Sequence, residues 1–481
     1  MDEISFGTDG WRATLETFTD RRVRMVGQGV ATVLREDDRR ESSKRTSGED
    51  GPASEDDRRE TDAAGTVAIG YDAREHSRGF AEELARVLCA NGFDVLLPAR
   101  DCPTPVTAWT VRDRGLAGAL VVTASHNPPE YNGVKFVPAD GSPAPAAVTD
   151  RIEANLAEPD PLPESEHGRV EETDFVGPYL DHALDFVDAD LDGLTVAYDA
   201  MHGSGRDVTD RLLEAAGADV LRLRCETDPE FGGESPEPSA EKLDALIERV
   251  ESGDADLGIA NDGDADRIGV VTPERGMLDP SLFFAAVYDH LLESESGSAV
   301  RTVSTSAIVD RVAQAHGETV AETPVGFKHV AEAMKETDAL MGGEESGGFG
   351  VRGHLRNKDG VTLALLTAAA AVERPLDERV SALEDAHGEV HQDRISVDCP
   401  DDRKAAVVAD LDGALPEEIA GAAVERVNDV DGFKIFLADG SWLLVRPSGT
   451  EPKLRVYAEA TDDERVRELL TAGRDLVEPL V

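Results

Sequence analysis

One local pattern recurs along this chain and limits its fold more than any other feature. Val67-Ala68-Ile69-Gly70-Tyr71-Asp72-Ala73 leads through a helical stretch to Gly92-Phe93-Asp94-Val95-Leu96-Leu97. Leu194-Thr195-Val196-Ala197-Tyr198-Asp199-Ala200 leads in the same way to Gly217-Ala218-Asp219-Val220-Leu221, and a weaker third copy runs from Val300–Ser306 to Gly317-Glu318-Thr319-Val320. Apolar run, helix, glycine turn and second apolar run is the order of a βαβ unit, in which a crossover helix covers a buried parallel sheet. The chain is therefore read as three homologous α/β units. The last 90 or so residues break the pattern and read as a smaller α+β domain with strands at Phe433–Leu437, Trp442–Val445 and Leu454–Ala458.

Each copy is followed by a further apolar run that ends in a polar loop. Gly118–Thr123 enters Ala124-Ser125-His126-Asn127-Pro128, Leu257–Ala260 enters Asn261-Asp262-Gly263-Asp264-Ala265-Asp266-Arg267, and Ala339–Met341 enters Gly342-Gly343-Glu344-Glu345-Ser346-Gly347-Gly348. Ligands of α/β sheets bind beyond the carboxyl ends of the strands, so three equivalent loops with three different chemistries are the expected functional sites.

Charge narrows the partners. Among 481 residues, Asp+Glu number 98 against 48 Lys+Arg, a net charge of −50. Such a surface excludes broad contact with nucleic acid or anionic lipid and leaves only a local basic pocket for phosphate. Only nine of the basic residues are lysine, and self-repulsion on this scale is tolerable when salt screens it, so the sequence predicts adaptation to very high salt. From about Glu36 to Gly65, large apolar side chains are almost missing, which predicts a disordered acidic insertion after a helix over Arg22–Arg35 and before a strand at Thr66–Tyr71. Cys89, Cys102, Cys225 and Cys399 are far apart and read as reduced structural thiols. The start lacks the basic-then-apolar order of a leader, and Val361–Val372 is too short to span a bilayer, so a cytoplasmic protein with no membrane segment is expected.

The acidic loop offers Asp262, Asp264 and Asp266 at alternating positions, which in an extended chain project to one face and suit a hard divalent cation. An EF-hand is excluded, because its sixth position would be Arg267 and its twelfth Pro273. Ser125 is a hydroxyl in a proline-set turn, without the G-x-S-x-G of a hydrolase elbow. His126, as its sequence neighbour, is expected to be badly placed to take its proton. Lys135, in Tyr131-Asn132-Gly133-Val134-Lys135, is either a proton shuttle, a phosphate partner or a solvated lysine. Arg446-Pro447-Ser448-Gly449-Thr450-Glu451-Pro452 combines a guanidinium fork, two hydroxyls and an open backbone amide, as an oxyanion clamp or a salt-bridged turn would. Glu344 and Ser346 between glycines suit sugar hydroxyls or a simple turn. Arg12, in Phe6-Gly7-Thr8-Asp9-Gly10-Trp11-Arg12, either reaches a phosphate or pairs with an acid.

Taken together, these segments resemble the α-D-phosphohexomutase family across essentially the whole chain. The resemblance implies three related α/β domains with mixed sheets around a central cleft, plus a C-terminal α+β domain of the TATA-box-binding-protein-like type. The expected division is 1–150 (phosphoserine), 151–276 (metal), 277–388 (sugar) and 389–481 (phosphate). It also implies roles: Ser125 as phosphoserine donor; Asp262, Asp264 and Asp266, with the phosphoryl oxygen at Ser125, as a Mg²⁺ site; Glu344 and Ser346 on sugar O3 and O4; and Arg446, Ser448, Gly449 and Thr450 on the idle phosphate. Arg12, His126, Lys135 and Arg267 are counted with the catalytic group, Lys135 as first choice for the acid/base, and Lys328 and His329 as ligand contacts. The activity implied is interconversion of glucose 1-phosphate and glucose 6-phosphate, with a trace of glucose 1,6-bisphosphate as activator, by a monomer or homodimer. Mannose and glucosamine phosphates are the alternative substrates; a phosphoserine phosphatase and a non-catalytic sugar-phosphate sensor are the competing classes. Gly348 stands where some members carry a histidine, so a role for that histidine does not carry over.

Overall fold

The computed structural model describes residues 4–7, 9–46, 65–448 and 452–481. It forms two compact units, one comprising the chain up to Leu278 with Ser346–Pro375, the other Asp279–Glu345 with Leu376–Val481.

The first unit holds two sheets built to one plan. Strands β1 (Trp11–Thr14), β2 (Thr66–Tyr71), β3 (Asp94–Leu97), β4 (Gly118–Val122), β5 (Tyr131–Pro138) and β6 (Val170–Glu172) lie in the order β1-β5-β4-β2-β3-β6. Strands β7 (Thr195–Asp199), β8 (Asp219–Leu223), β9 (Leu257–Asn261), β10 (Ile268–Thr272) and β11 (Gly276–Met277) lie in the order β11-β10-β9-β7-β8. In both, a parallel trio (β4-β2-β3, β9-β7-β8) is extended by the antiparallel strand that follows the loop, β5 or β10. The sheets are thus mixed, and the recurring sequence pattern falls on equivalent strands.

Burial explains the pattern. Strands β4, β9 and β10 are buried along their whole length, which a sheet covered on both faces requires. In the first domain Val26, Val30, Leu84, Leu88, Val67, Ile69 and Leu120 share one core, each fully buried branched side chain contributing about 1.5–3 kcal/mol. At Gly70 the helix Thr104–Asp113 comes so close that a Cβ would overlap the Thr107 side chain.

The helix predicted over Arg22–Arg35 runs from Asp20 to Thr46, so the stretch from Glu36 to Thr46 is helical rather than disordered. Low apolar content there argues against core, not against helix: Arg, Glu and Lys are good helix formers, and no glycine or proline interrupts them. Glu36 and Asp37 pair with Arg151 at 3.2 and 2.9 Å. The remainder of the acidic insertion, 47–64, lies outside the described residues.

In the second unit β12 (Ala299–Thr302), β13 (Val320–Thr323) and β14 (Met341–Gly343) are parallel, in the order β13-β12-β14. The last of the chain forms a six-stranded antiparallel sheet, β15-β20-β19-β18-β17-β16, of His391–Asp398, Lys453–Ala460, Trp442–Pro447, Phe433–Leu437, Ala422–Asn428 and Glu418–Ile419. Helices Asp401–Ala414 and Asp463–Val477 pack on it. Trp442, Leu444 and Tyr457 close against Val303, and Lys434 Nζ donates to the Val303 carbonyl at 2.7 Å beneath the Trp442 ring. All four cysteines are free thiols, and among the described residues no helix is long and apolar enough to cross a membrane.

Candidate active site

The Ser125 loop joins β4 to β5 as a tight bend. Ser125 itself takes the left-handed conformation, with φ +53, which a non-glycine residue adopts only when its surroundings hold it there. Two supports do so. Thr123 Oγ1 accepts the Ser125 amide at 2.7 Å and donates to Asp72 Oδ2 at 2.7 Å. The buried Arg74 guanidinium donates to four backbone carbonyls of the loop, those of Ser125 (2.7 Å), Asn127 (2.6 Å), Pro128 (2.6 Å) and Tyr131 (3.1 Å), and is itself held by Asp72.

The acidic loop joins β9 to β10. It is not extended, as alternation alone suggested: the Ala265 amide bonds back to the Asp262 carbonyl at 3.0 Å and Ala265 has φ +54. The turn still brings carboxylate oxygens of Asp262, Asp264 and Asp266 within 4.8 Å of one another. Ser125 Oγ donates to Asp262 Oδ2 at 2.8 Å, so the hydroxyl and the acidic cluster form one site.

Two lysines meet these acids, and two arginines stand beside them. Lys135 Nζ donates to Asp264 Oδ2 and Asp266 Oδ2, each at 2.9 Å, and lies 3.0 Å from Asp9 Oδ2. Lys358 Nζ reaches Asp266 Oδ2 at 3.0 Å and Asp9 Oδ2 at 3.2 Å. Arg12 donates to Asp9 at 2.8 Å and to Asn127 Oδ1 at 3.1 Å. The Arg267 amide donates to Asp262 Oδ1 at 3.1 Å, and its guanidinium lies 3.9 Å from Glu237. Thr104 Oγ1 donates to Asp264 Oδ2 at 2.6 Å.

Burial and charge set the protonation states. Burial raises Asp262 well above the ordinary carboxylate range, reinforced by Asp264 and Asp266. Burial also opposes ionisation of Asp264, but Lys135, Thr104 and Lys358 outweigh it and hold that carboxyl low. Lys135 is pushed well above its usual value because Asp264, Asp266 and Asp9 overcome its desolvation. His126 Nδ1 stands 3.3 Å from Ser125 Oγ, closer than adjacency in sequence suggested; the left-handed bend at Ser125 turns the next side chain back. Burial, with Arg267 and Arg12, drives this imidazole down to about 2, so it is neutral.

The cluster fits a cation. Oδ1 of Asp264 and Oδ1 of Asp266 are buried with no hydrogen-bond partner among the described residues, and a buried acceptor left unmatched costs about 1–3 kcal/mol. Hard oxygen donors in that number suit Mg²⁺.

The remaining predicted residues belong to the second unit, apart from Ser346, which is exposed and falls in the first. Glu344, buried at the end of β14, accepts the Gly326 amide at 2.9 Å; Gly326 has φ +121 and starts the turn to Lys328 and His329, both half-buried. Asp431 Oδ2 accepts the Val325 amide and Arg446 Nη2, each at 3.0 Å, tying the Gly326 turn to the end of the strand Trp442–Pro447. Lys404 Nζ donates to the Ser448 carbonyl at 2.8 Å. Gly449 and Thr450 lie outside the described residues.

Asp9, Asp72, Arg74, Thr104, Lys358 and Asp431 were not singled out from sequence. Lysine scarcity is the signal that was available: of nine lysines, Lys135, Lys358, Lys404 and Lys434 are buried.

Comparison with known proteins agrees along the chain. Residues 55–162, 177–276, 279–386 and 395–475 match the families described as phosphoglucomutase/phosphomannomutase alpha/beta/alpha domains I, II and III and C-terminal domain. The chain is 36% identical over 421 residues to a Methanopyrus kandleri protein named as a probable phosphoglucosamine mutase, covering 86% of this chain and 90% of that one. It is 32% identical over 420 residues to a phosphoglucomutase/phosphomannomutase of Thermococcus kodakarensis, with the same coverage. A crystal structure of a Thermus thermophilus protein, provisionally named a phosphomannomutase, superposes with TM-score 0.80 at 30% identity, covering 99% of both chains.

Proposed function

Because the chain belongs to the phosphoglucomutase/phosphomannomutase family, we propose that it interconverts glucose 1-phosphate and glucose 6-phosphate through phosphorylated Ser125 and a hexose 1,6-bisphosphate. Membership makes it an isomerase-class phosphotransferase acting on sugar phosphates. The observation that carries the finer reading is the Ser125 hydroxyl, 2.8 Å from Asp262 and in one cluster with Asp264, Asp266, Lys135, Lys358 and Arg12.

The transfer balances on this chain's groups. A sugar hydroxyl oxygen forms a bond to phosphorus, the bond from phosphorus to Ser125 Oγ breaks, and the hydroxyl proton ends, by way of an acid/base group, on the freed Oγ. The bisphosphate then turns, its other phosphoryl returns to Ser125, and the proton goes back to the freed sugar oxygen. Arg12, Lys135, Lys358 and Arg267 supply fixed positive charge for a reaction that asks chiefly for positioning and charge stabilisation. Lys135 is our choice for the proton: its raised affinity keeps a proton at Nζ for the oxygen that is leaving, and the proton of the attacking hydroxyl replaces it there, so the positive charge is kept. Ser125 with Asp262, Asp264 and Asp266 would hold Mg²⁺, which when bound supplies Lewis-acid neutralisation of phosphoryl oxygens. Glu344 and Ser346 would take sugar O3 and O4, Lys328 and His329 touch the ligand, and Arg446, Ser448, Gly449 and Thr450 grip the idle phosphate, with trace glucose 1,6-bisphosphate restoring phosphoserine lost by hydrolysis.

A second reading, an amino-sugar phosphate as substrate, is favoured by the name of the 36%-identical relative. Contacts at O3 and O4 do not read C2, so the sugar is decided by rates. Side-by-side kcat/KM on glucose 1-phosphate, mannose 1-phosphate and glucosamine 1-phosphate, with Mg²⁺ and a trace of bisphosphate, is expected to favour glucose. A clear preference for either other sugar replaces it. Given the net charge of −50, we also propose that folding needs high salt, with loss of secondary structure on transfer to dilute buffer as the expected outcome.

A further inference from the structure

We propose that His354, backed by Tyr179 and His182, is a positioning residue for phosphoryl transfer: it fixes Asp359, and through Asp359 the neighbouring Lys358 and the acidic loop. The proposal rests on the reading above for what Lys358 serves.

Lys358 and Asp359 are adjacent but face different tasks. Lys358 Nζ joins the site at Asp266 and Asp9. Asp359 turns away and caps the helix Gly360–Glu373, accepting the amides of Val361 at 3.0 Å and Thr362 at 2.8 Å. It also receives Tyr179 OH at 2.7 Å and His354 Nε2 at 2.6 Å. Asp279, which caps Pro280–Leu292, accepts two backbone amides in the same way, at 2.8 and 3.2 Å, so the amides alone suffice for a cap. Asp359 is buried where Asp279 is exposed, so its carboxylate takes protein donors in place of water, and those donors fix where it sits.

What they place is the helix start. The Gly360 amide donates to the Ala265 carbonyl at 3.2 Å, and a Cβ on Gly360 would overlap the Arg267 carbonyl. Any sliding of this turn therefore moves both Lys358 and the loop of Asp262–Asp266. The histidine is itself fixed. Its Nε2 lies against the Asp359 carboxylate and its Nδ1 stands 2.9 Å from His182 Nε2, so both ring nitrogens are engaged. His182 stacks on His354 and on Trp109, at 5.1 Å each, and Arg112 donates to the His354 carbonyl. None of these groups touches Ser125 or the three aspartates.

The test uses His354→Phe, which keeps the ring stack and removes the donor, and His354→Gln, whose amide can restore it. Expected for His354→Phe is a kcat about ten-fold lower with KM within about two-fold, with most of the loss recovered in His354→Gln. In a Lys358→Met background, the loss from His354→Phe should shrink to the part carried by the acidic loop, so the two losses are less than additive. A second readout needs no turnover: acetylation of Lys358 by a small acylating reagent, followed by mass spectrometry, should be several-fold faster in His354→Phe than in the parent protein. Additive losses in the double variant, or unchanged Lys358 labelling, overturn the proposal. Should His354→Phe fail to fold, Tyr179→Phe removes a donor to the same carboxylate at the cost of one atom and carries the same measurements. If the parent protein isomerises none of the three sugar phosphates, the functional reading fails and the labelling arm still decides the placement of Lys358.

Discussion

The Ser125 loop and the Asp262–Arg267 loop occupy the same place in two copies of one fold, each between the third strand of a parallel trio and the antiparallel strand beside it. Each bends through a non-glycine residue in the left-handed region, at φ +53 and φ +54. Their support differs. The Ser125 loop is held from within its own domain, by Arg74 on four carbonyls and by Thr123. The carboxylates of the acidic loop are met by side chains that the rest of the unit brings to them, Thr104, Lys135 and Lys358. A duplicated scaffold can thus carry a hydroxyl that is rigid by itself and an acid cluster that is tolerable only once neighbouring elements have docked.

The strongest way to break this division of labour is Ser125→Ala. It removes the proposed phosphoryl carrier and leaves the brace intact, so isomerisation should fall by roughly a thousand-fold or more while Tm stays within a degree or two. Next is the brace itself: Arg74→Met strands Asp72 in the core and frees four carbonyls, which should cost about 3–5 kcal/mol by denaturant unfolding in saturating salt. A loss under about 1 kcal/mol would mean that the loop holds itself.

The acidic loop makes a sharper prediction, because two of its neighbouring aspartates have opposite signs. Asp262 is raised, so the folded chain binds its proton more tightly than the unfolded one; stability from this group is full at low pH and is lost as pH rises through the folded value. Asp264 is lowered, so its contribution is present above the unfolded carboxylate value and lost as pH falls. At neutral pH without metal, Asp262→Asn should therefore stabilise by about 1–3 kcal/mol and Asp264→Asn destabilise by a similar amount. Adding Mg²⁺ should raise the Tm of the parent protein and cancel the advantage of Asp262→Asn. Smallest is Thr104→Val, which removes one hydroxyl bond but keeps the Thr104 amide on the Asp264 carbonyl at 2.9 Å, for about 1 kcal/mol.

What was legible from sequence follows the same contrast. The strands and the loops carrying Ser125, Asp262–Asp266 and Glu344 could be read because each loop directly follows a recurring buried strand. Asp9, Arg74 and Lys358 could not, since their meaning lies in partners remote along the chain: Lys358 meets Asp9 across 349 positions. The helical stretch from Glu36 to Thr46 was misread because absence of apolar residues reports exposure and says little about backbone conformation. The curve of the acidic loop was hidden too, because alternating aspartates look the same in a strand and in a turn that bends at Ala265.

The central claim is that Ser125 carries the phosphoryl group. It is tested most directly by exposing the dephosphorylated protein to glucose 1,6-bisphosphate and Mg²⁺, then taking the intact mass and a peptide map. One added phosphoryl group on the peptide at Ser125, discharged on addition of a hexose monophosphate, is the predicted result. A phosphoryl group on another residue, or isomerisation by a protein that never gains one, would contradict it.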